Sequence, residues 1–497
     1  MKKIVRSFPA IVLISTIITI FGLLKSVILS QKFGASSVLD SFYLANVFTV
    51  SIFSVVSSAI TTVVMPKLNS INRNEKDDSN LEEYLSVVFI VTLIIGIIGI
   101  ILLYVFRSSI VGQYDSKLKS TFISMIIILF IAQLSRINVA VYTAVYQSKE
   151  NYIIPRLTDI IPALIPVVYI MTVAQPNIMY VTLLTAISYF LQFVALRRIQ
   201  DNNSLLRVRF KGFLLNEQVK TLLRNTVPIL ISSTIFQIQI LFSNYFANNF
   251  GNGYVTIFTN ANQVIGIFQA LFIVNIVNLF YPTMIRKINK NLIKGLSEST
   301  YFIGITMAFV ILIFWGYASV GSNLIDIVFI HGKFTKENAH VVYTFGLVLC
   351  VVLPIDVIRD FIYRVYYAVG NTKKPMINSV LTVIFNIIML MVLSKIIGPM
   401  SIVLAPAIGT IFSTSIILIR LYKDNMSLRN SMLVMIFIIF NLLGLCMYGV
   451  LYLVKVTVVF NGMVTVALQV VIGIAFSVTV LLLLLYFLKE KELIEFK

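Results

Sequence analysis

The sequence predicts an all-α polytopic membrane protein, with about fourteen transmembrane helices along its 497 residues. Three observations predict this class. Hydrophobic residues make up 59% of the chain, charged residues make up only 12%, and the mean hydropathy is +0.95. Soluble domains carry about 25% charged residues, so a soluble fold could not hide this much apolar surface. Apolar runs of roughly 17 to 25 residues, long enough to cross a bilayer as a helix, recur throughout the chain.

The individual spans are placed by scanning for such runs. They lie near residues 8–30, 41–65, 85–106, 120–144, 153–174, 177–196, 227–248, 254–284, 300–320, 340–366, 376–397, 400–422, 430–454 and 461–488. The first run is too long for a signal peptide and lacks a small-residue cleavage site before a polar domain. We therefore expect it to be the first span of the membrane domain.

The net charge of +19 is distributed unevenly between the two sides of the predicted membrane. With the N-terminus inside, the basic residues concentrate in both tails and in the even-numbered connections, above all 197–224, 286–294 and 420–429. The opposite connections hold few: Lys32, Arg107, Lys117, Lys119, Lys333 and Lys336 are the main ones. This asymmetry follows the positive-inside rule and predicts that both termini are cytoplasmic. It also argues against nucleic acid as the partner of the basic charge, since the lipid bilayer accounts for it.

Several classes of chemistry are not indicated. Cys350 and Cys446 both lie in predicted spans without disulfide or metal spacing, and His331 and His340 are the only histidines. The sequence has no P-loop, no glycine-rich dinucleotide motif and no HExxH motif. We therefore expect neither an enzyme nor a bound metal or cofactor.

One passage occurs twice. Residues 33–46 read FGASSVLDSFYLAN and residues 250–262 read FGNGYVTIFTNAN, so both open with Phe-Gly and close with Ala-Asn. Two further pairs follow in order: MPK (65–67) with YPT (281–283), and YTAVYQSKENYIIP (142–155) with YYAVGNTKKP (366–375). Six predicted helices, an even number, separate equivalent points, so the copies share one orientation and form a parallel repeat. Chance recurrence in a sequence rich in Ile, Phe and Asn is the alternative.

The repeat predicts the domain organisation, with a cavity between two six-helix lobes. An N-terminal lobe covers residues 1–198 and a C-terminal lobe covers residues 227–424. Residues 199–226 form a basic amphipathic linker on the cytoplasmic leaflet, and residues 425–497 hold the last two spans and a cytoplasmic tail.

Charged residues inside the spans are the main candidates for function, because a charge at mid-membrane costs roughly 2.5 to 3.5 kcal/mol and usually faces a cavity or a partner. Lys25 lies in the first span, Arg136 in the fourth, and Arg156 and Asp159 in the fifth. The tenth span contains Asp356, Arg359, Asp360 and Arg364, spaced so that Arg359 can reach Asp356 and Arg364 can reach Asp360. These pairs could neutralise each other within one helix, and Lys25 could snorkel to the membrane surface.

Polar residues supply the remaining candidates. Asn46, Asn262 and Gln263 could contact saccharide hydroxyl groups, whereas Asp159, Asp356 and Asp360 could couple transport to an ion. Gly34 is predicted to shape the first repeated loop. Asp40 follows that loop, and we expect it to cap the N-terminus of the second helix.

Three stretches resemble a known family. They are KSVILSQKFGASSVLDSFYLANV followed by VVMPKL, then FIHGKFTKENA (329–339), then YYAVGNTKKPMINSVLTVIFNIIM. They are similar to the lipid II flippase family (MurJ/MviN) of the multidrug/oligosaccharidyl-lipid/polysaccharide exporter superfamily, and the likeness covers nearly the whole chain. It implies two six-helix lobes around a V-shaped central cavity, with two C-terminal helices lining a lipid groove.

The chain departs from that family at cavity cations. The resemblance places arginines at positions where this sequence has Thr19, Phe53 and Gln263, while the cation at Lys25 is kept and is followed by Ser26 instead of an acid. Arg136, Arg359 and Arg364 are candidate replacements. The resemblance thus implies a flippase for an undecaprenyl-pyrophosphate-linked saccharide, either lipid II or a capsule, O-antigen or exopolysaccharide unit. Its pyrophosphate would contact Lys25, Arg136, Arg359 and Arg364, and glycosyltransferases or a polymerase of the same pathway are candidate partners.

Two other functional classes remain open. One is a small-molecule or multidrug exporter of the same superfamily, coupled to H⁺ or Na⁺ through cavity carboxylates. The other is a membrane scaffold that transports nothing, although a scaffold has little need for charge within its spans. A cavity lined by Lys25 and Arg136 would favour the flippase, and one lined by Asp159 and Asp356 would favour the exporter.

Overall fold

The computed structural model of the protein describes residues 2–68, 75–105, 111–112, 114–199, 217–426, 428–457 and 462–490. Within those ranges the regular structure is helical. The α-helices are α1 (Lys2–Phe33), α2 (Ser37–Leu68), α3 (Glu75–Val105), α4 (Ser116–Ser148), α5 (Ile153–Thr158), α6 (Ile160–Thr172), α7 (Ile178–Ile199), α8 (Glu217–Asn249), α9 (Tyr254–Phe268), α10 (Val274–Lys290), α11 (Leu292–Phe329), α12 (Lys336–Val351), α13 (Leu353–Ala368), α14 (Lys373–Ile397), α15 (Ser401–Lys423), α16 (Asn430–Thr457) and α17 (Gly462–Glu490). A π-helical turn, Gln269–Ile273, joins α9 to α10.

The predicted fold class, an all-α polytopic membrane protein, is confirmed. The described residues contain eleven stretches long and apolar enough to cross a membrane, or twelve when the bent pair α12 and α13 counts as one span. The stretch Lys373–Lys423 holds both α14 and α15, which are separated by a 3-10 turn at Gly398–Met400, and α8 covers the predicted seventh span. The structure is therefore compatible with fourteen spans.

The chain divides into two compact units, Met1–Thr259 and Asn260–Lys497. The predicted lobe boundaries, and the V-shaped cavity between the lobes, stay predictions. Most of the predicted linker, residues 200–216, lies outside the described residues, while its last part is the helical start of α8.

The core of the first unit is formed by α2 and α4, which pack side by side. The Phe53 ring of α2 meets the Phe130 ring of α4 edge to face, 5.4 Å between centroids, and Phe53 is 1% exposed. α3 approaches the same place closely, because a Cβ added at Gly96 would lie 1.8 Å from the Phe130 ring. Phe53, at a position where the resemblance implies an arginine, is thus packed against another aromatic ring.

The second unit is organised around α11, a helix of 38 residues. The Trp315 indole of α11 donates to the Asn441 side-chain oxygen of α16 at 3.1 Å. α14 and α15 form a hairpin in which the Phe385 and Phe412 rings stack at 4.0 Å. In the apolar stretch Gly462–Tyr486 of α17, only Thr465, Val466 and Gln469 are buried, as expected for a helix whose surface contacts lipid.

Candidate functional site

The two repeated loops meet in the first unit through Asp40, which is fully buried in the first turn of α2. One carboxylate oxygen accepts the Gly253 N–H at 2.5 Å, and the other accepts the Thr256 N–H at 2.8 Å and the Thr256 hydroxyl at 2.7 Å. These donors belong to the N-terminus of α9. Asp40 lies in the first copy of the repeated passage and Thr256 in the second, so one copy contacts the other.

Asp40 was predicted to cap α2, and this prediction is wrong because its carboxylate binds the N-terminus of α9 instead. Ser36 caps α2, since its hydroxyl accepts the Leu39 N–H at 3.4 Å. Asp40 lies inside the first turn of α2, past the capping position, and its side chain reaches the neighbouring helix α9. The unpaired amides and positive end of the α9 dipole stabilise a carboxylate there.

Glycines permit this close approach. Gly34 and Gly253 have φ angles of 71° and 93°, in the region that favours glycine. A Cβ at Gly253 would lie 2.7 Å from the Ala35 Cβ. The predicted role of Gly34 in shaping the loop fits its backbone conformation.

Tyr114 lies beyond the end of α3, outside the spans, and donates its hydroxyl to the Asn248 side-chain oxygen at 2.6 Å. Burial, with the charge of Asp40 as a second cause, raises the pKa of Tyr114. The phenol therefore stays protonated and keeps donating at neutral pH.

A polar pocket of about 400 Å³ lies elsewhere in the first unit and contains three charged residues. Arg136 comes from α4, Arg156 from the short helix α5, and Asp159 from the break between α5 and α6. The break follows from Pro162, which lacks the N–H that would bond to the Thr158 carbonyl. We call this cavity the Arg136 pocket. Its other lining residues are Ile11, Ser57, Ser58, Val139, Ala140, Thr143, Gln147, Tyr152 and Pro155.

Helix α7 supports two of these charges from one face. The Arg136 guanidinium lies over the Tyr189 ring, 5.0 Å from its centroid. The Gln192 amide, one turn further along α7, donates to one Asp159 oxygen at 2.7 Å. The other Asp159 oxygen lies 3.4 Å from Arg156 Nη1. Two guanidinium groups therefore face one carboxylate.

Lys25 meets different surroundings. Its ammonium lies 5.5 Å from the centroid of the Phe42 ring, while the adjacent Ser26 hydroxyl lies 3.2 Å from the Tyr43 hydroxyl. The described lining of the Arg136 pocket does not include Lys25. Asn46, in α2, is half-buried, and its side-chain oxygen has no hydrogen-bond partner among the described residues.

The charged residues of α13 lie in the second unit and partly pair within the helix. Arg359 forms an ion pair with Asp356 and lies 3.5 Å from Asp360. The Arg364 guanidinium lies 4.8 Å from the centroid of the Tyr281 ring. The predicted pairing of Arg359 with Asp356 is thus present.

A smaller cavity of about 110 Å³ in the second unit brings two predicted residues together. Asp356 and Asn262 line it with Gln269 and Thr410, next to the break between α12 and α13. Gln263 is half-buried in α9 beside Asn262. This cavity gathers oxygen ligands around one carboxylate, whereas the Arg136 pocket gathers guanidinium groups.

The sequence did not single out Tyr189 and Gln192 as site residues, and it treated Arg156 only as a buried charge. An intramembrane arginine and an aspartate three residues apart are visible in a sequence. A neutral glutamine 33 residues further along gives no such signal.

Three comparisons relate the chain to known proteins. The profile of the family described as "Lipid II flippase MurJ" matches residues 29–491. The probable lipid II flippase MurJ of Bdellovibrio bacteriovorus is 22% identical over 228 residues, which are 45% of this chain and 43% of that protein. The chain thus matches less than half the length of that relative.

Solved structures show the same fold. A lipid II flippase MurJ in an inward closed conformation has a TM-score of 0.79 at 20% identity, covering 96% of this chain and 98% of its own. An inward-facing multidrug resistance MATE family transporter of the MOP superfamily has a TM-score of 0.58 at 12% identity, covering 80% and 92%. The family match extends over most of the chain, and the chain belongs to the lipid II flippase MurJ family, whose members are multi-pass membrane transporters and not enzymes.

Proposed function

We propose that this protein moves an undecaprenyl-pyrophosphate-linked saccharide across the bacterial cytoplasmic membrane by alternating access, with both termini in the cytoplasm. Lipid II is the cargo named for the family, and a capsule, O-antigen or exopolysaccharide unit has the same pyrophosphate. The enzymes that consume the exported lipid, glycosyltransferases or a polymerase, are the partners that this function requires.

The observation that carries the proposal is the excess of guanidinium over carboxylate in the Arg136 pocket. Arg136 lies twelve residues before the end of α4, or about 18 Å along the helix, which puts it within the hydrocarbon thickness of a bilayer. A cation at that depth is costly unless it serves a ligand or a partner. Guanidinium binds phosphate oxygens in a bidentate manner, so a pyrophosphate is a fitting ligand.

The polar rim suits a saccharide next to the phosphates. Ser57, Thr143 and Gln147 line the same pocket and offer hydroxyl and amide groups. Lys25 supplies a further cation in the first unit, and its only described polar or ring contact is the Phe42 ring. We include Lys25 and these polar rim residues in the proposed binding surface.

Reconstitution of the full-length protein tests this function. In proteoliposomes with a fluorescent undecaprenyl-pyrophosphate-linked saccharide, the wild type should speed flipping. Arg136→Ala should lower the rate about tenfold or more, because charge-assisted hydrogen bonds contribute about 1.5 to 3 kcal/mol. Arg136→Lys should retain part of the rate, and Lys290→Ala, an exposed cation of the second unit, should behave as wild type. Equal rates for wild type and Arg136→Ala would contradict the proposal.

The small cavity in the second unit favours a second candidate function, a small-molecule exporter coupled to H⁺ or Na⁺. Asp356, Asn262, Gln269 and Thr410 could hold a cation there. Transport that depends on Na⁺ or on a pH gradient and is lost in Asp356→Asn, with no flipping of the lipid, would identify this alternative.

A further inference from the structure

The contacts around Asp159 raise a question that the proposed function leaves open: how the site distinguishes a pyrophosphate-linked carrier from a carrier with a single phosphate. Membranes that contain polyprenyl-pyrophosphate sugars can also contain polyprenyl-monophosphate sugars. A pocket with two guanidinium groups attracts both. Selectivity requires a feature that penalises the ligand with one charge.

We propose that Asp159 is an intramolecular competitor that occupies Arg156 while the Arg136 pocket is empty, and that it thereby selects ligands carrying two phosphate groups. The inference rests on the proposed function, because it concerns the specificity of the same site. It makes Asp159 a specificity-determining residue and Gln192 the positioning residue that holds it.

The two guanidinium groups of the Arg136 pocket differ in their contacts. Arg136 is half-buried and lies over the neutral Tyr189 ring; it attracts the Asp159 carboxylate through space, but the described ion pairs include none between these two residues. Arg156 is paired with the Asp159 carboxylate. A ligand with one negative phosphate can therefore bind Arg136 without breaking the pair between Arg156 and Asp159. A ligand with two must also compete for Arg156.

The ion pair between Arg156 and Asp159 is easily displaced. Its N···O distance of 3.4 Å exceeds the 2.7 to 2.9 Å of a strong charge-assisted hydrogen bond. The Arg156 side chain is also 54% exposed, so it is free to turn toward an incoming phosphate.

On the side away from Arg156, Asp159 is held by α7. The Gln192 amide donates to it at 2.7 Å, shorter than the contact with Arg156, and Gln192 is only 2% exposed. When Arg156 turns to a second phosphate, Asp159 therefore stays on α7. A monophosphate carrier contacts only Arg136, and the Asp159 carboxylate stays close to its phosphate. A pyrophosphate carrier contacts both Arg136 and Arg156, and the second contact offsets the loss of the pair between Arg156 and Asp159.

Binding of two defined ligands to the detergent-solubilised full-length protein tests the inference. The probes are an undecaprenyl-pyrophosphate-linked monosaccharide and the undecaprenyl-monophosphate-linked form of the same sugar. Wild type should prefer the pyrophosphate probe by about tenfold or more, equivalent to one charge-assisted contact. Asp159→Asn should reduce the preference to about threefold or less, mainly by tighter binding of the monophosphate probe.

Gln192→Leu gives an independent readout in the opposite direction. Without the amide, Asp159 is free to close on Arg156, so the pyrophosphate probe should bind several-fold more weakly while the monophosphate probe changes little. A purely structural role of either residue would change both affinities together. Asp326→Asn removes an acid of the second unit that has no assigned role, and it should leave the ratio unchanged.

The outcomes separate this inference from the proposed function. If Arg136→Ala weakens the pyrophosphate probe but Asp159→Asn leaves the wild-type ratio unchanged, the competitor role is wrong and the flippase proposal stands. If wild type binds both probes equally in an Arg136-dependent manner, the selectivity is absent and the inference fails. If neither probe binds, or Arg136→Ala has no effect, the proposed function itself fails.

Discussion

At the scale of single residues, Lys25 and Arg136 are two cations in apolar spans of the first unit with different surroundings. Arg136 lines a pocket with a second arginine and an aspartate, whereas Lys25 lies over the Phe42 ring. A cation over an aromatic face is stabilised by about 0.5 to 2 kcal/mol, less than the cost of a charge in a membrane. The ring contact alone therefore does not account for Lys25.

We expect Lys25→Ala to reduce export of the lipid-linked saccharide about tenfold, since it removes one charge-assisted contact to the pyrophosphate. Lys25→Arg should retain export, because it keeps the cation and its contact with Phe42. The rates are compared in proteoliposomes with equal amounts of inserted protein. Full export by Lys25→Ala would leave this residue with a packing role only.

The sequence identifies charged candidates but not the residues that position them. Lys25, Arg136 and Asp159 could be found because a charge interrupts an apolar run, which is unusual for a membrane span. The sequence could not show that Gln192 meets Asp159, because a neutral amide is common in such helices and the two lie on different elements. The partner of Asp40 was likewise hidden, since it depends on where another helix begins.

At the scale of elements, the contact between the repeated loops depends on the N-terminus of α9 lying close to the first loop. Gly253 combines a φ of 93° with a predicted clash, because its Cβ would lie 2.7 Å from both the Cβ and the carbonyl oxygen of Ala35. Its N–H also donates to Asp40. Three separate features thus converge on one small residue.

Gly253→Ala should lower the thermal unfolding temperature of the purified protein, because overpacking costs about 1 to 3 kcal/mol and the positive φ adds strain. Gly266→Ala is the matched control, since its Cβ would meet nothing within 4 Å and its φ is helical. The control should be neutral or slightly stabilising. Equal unfolding temperatures for the two variants would show that the loops tolerate separation.

Asp424, just beyond the end of α15, joins the ends of two other helices. It accepts hydrogen bonds from the Lys374 ammonium of α14 and, at 2.7 Å, from the Tyr366 hydroxyl of α13. The Lys374 contact is the main cause that holds the pKa of the Asp424 carboxyl below its usual value. A depressed pKa means that the ionised form stabilises the folded protein above the ordinary aspartate pKa of about 3.9, and that this stabilisation is lost as the pH falls through the folded value.

We therefore expect Asp424→Asn to destabilise the protein at pH 7 by about 1 kcal/mol, the magnitude of a partly exposed ion pair with one added hydrogen bond. The difference in unfolding temperature between wild type and variant should shrink when the pH is lowered below about 4. A difference that is the same at pH 7 and at pH 3.5 would contradict this role for the carboxylate charge.

The helices were predictable to different degrees. Long apolar spans such as α4 and α16 follow from composition, because the bilayer fixes their length. The break between α5 and α6 and the π-helical turn after Phe268 were not predicted, since a helix with a local defect keeps the same apolar composition. Helix ends that carry polar residues also differ from the predicted span ends. For example, α8 begins at Glu217, ten residues before the predicted span.

At the scale of the whole molecule, the repeat in the sequence and the family match point to one kind of transporter. Each unit contributes a different cavity, one rich in guanidinium and one built around a carboxylate. In the proposed function, the lipid-linked cargo binds in the guanidinium-rich cavity of the first unit. Directional export of this cargo requires an energy source, and the sequence contains no nucleotide-binding motif.

The membrane potential can supply that energy. A pyrophosphate-linked lipid carries two negative charges, and each charge that crosses the membrane is worth about 2.3 kcal/mol per 100 mV. Since the cell interior is negative, outward movement of the head group is favourable by about 5 kcal/mol at 100 mV if the empty protein returns without compensating charge.

Directional flipping of a fluorescent undecaprenyl-pyrophosphate-linked saccharide in proteoliposomes, under a K⁺ diffusion potential set by valinomycin, tests whether the membrane potential drives export. Coupling to the potential predicts net movement toward the positive side, loss of direction when K⁺ is balanced, and no change when Na⁺ or the pH gradient is removed at constant potential. Flipping that persists without the potential but stops when Na⁺ or the pH gradient is removed would contradict it, and would assign the coupling to a carboxylate such as Asp356.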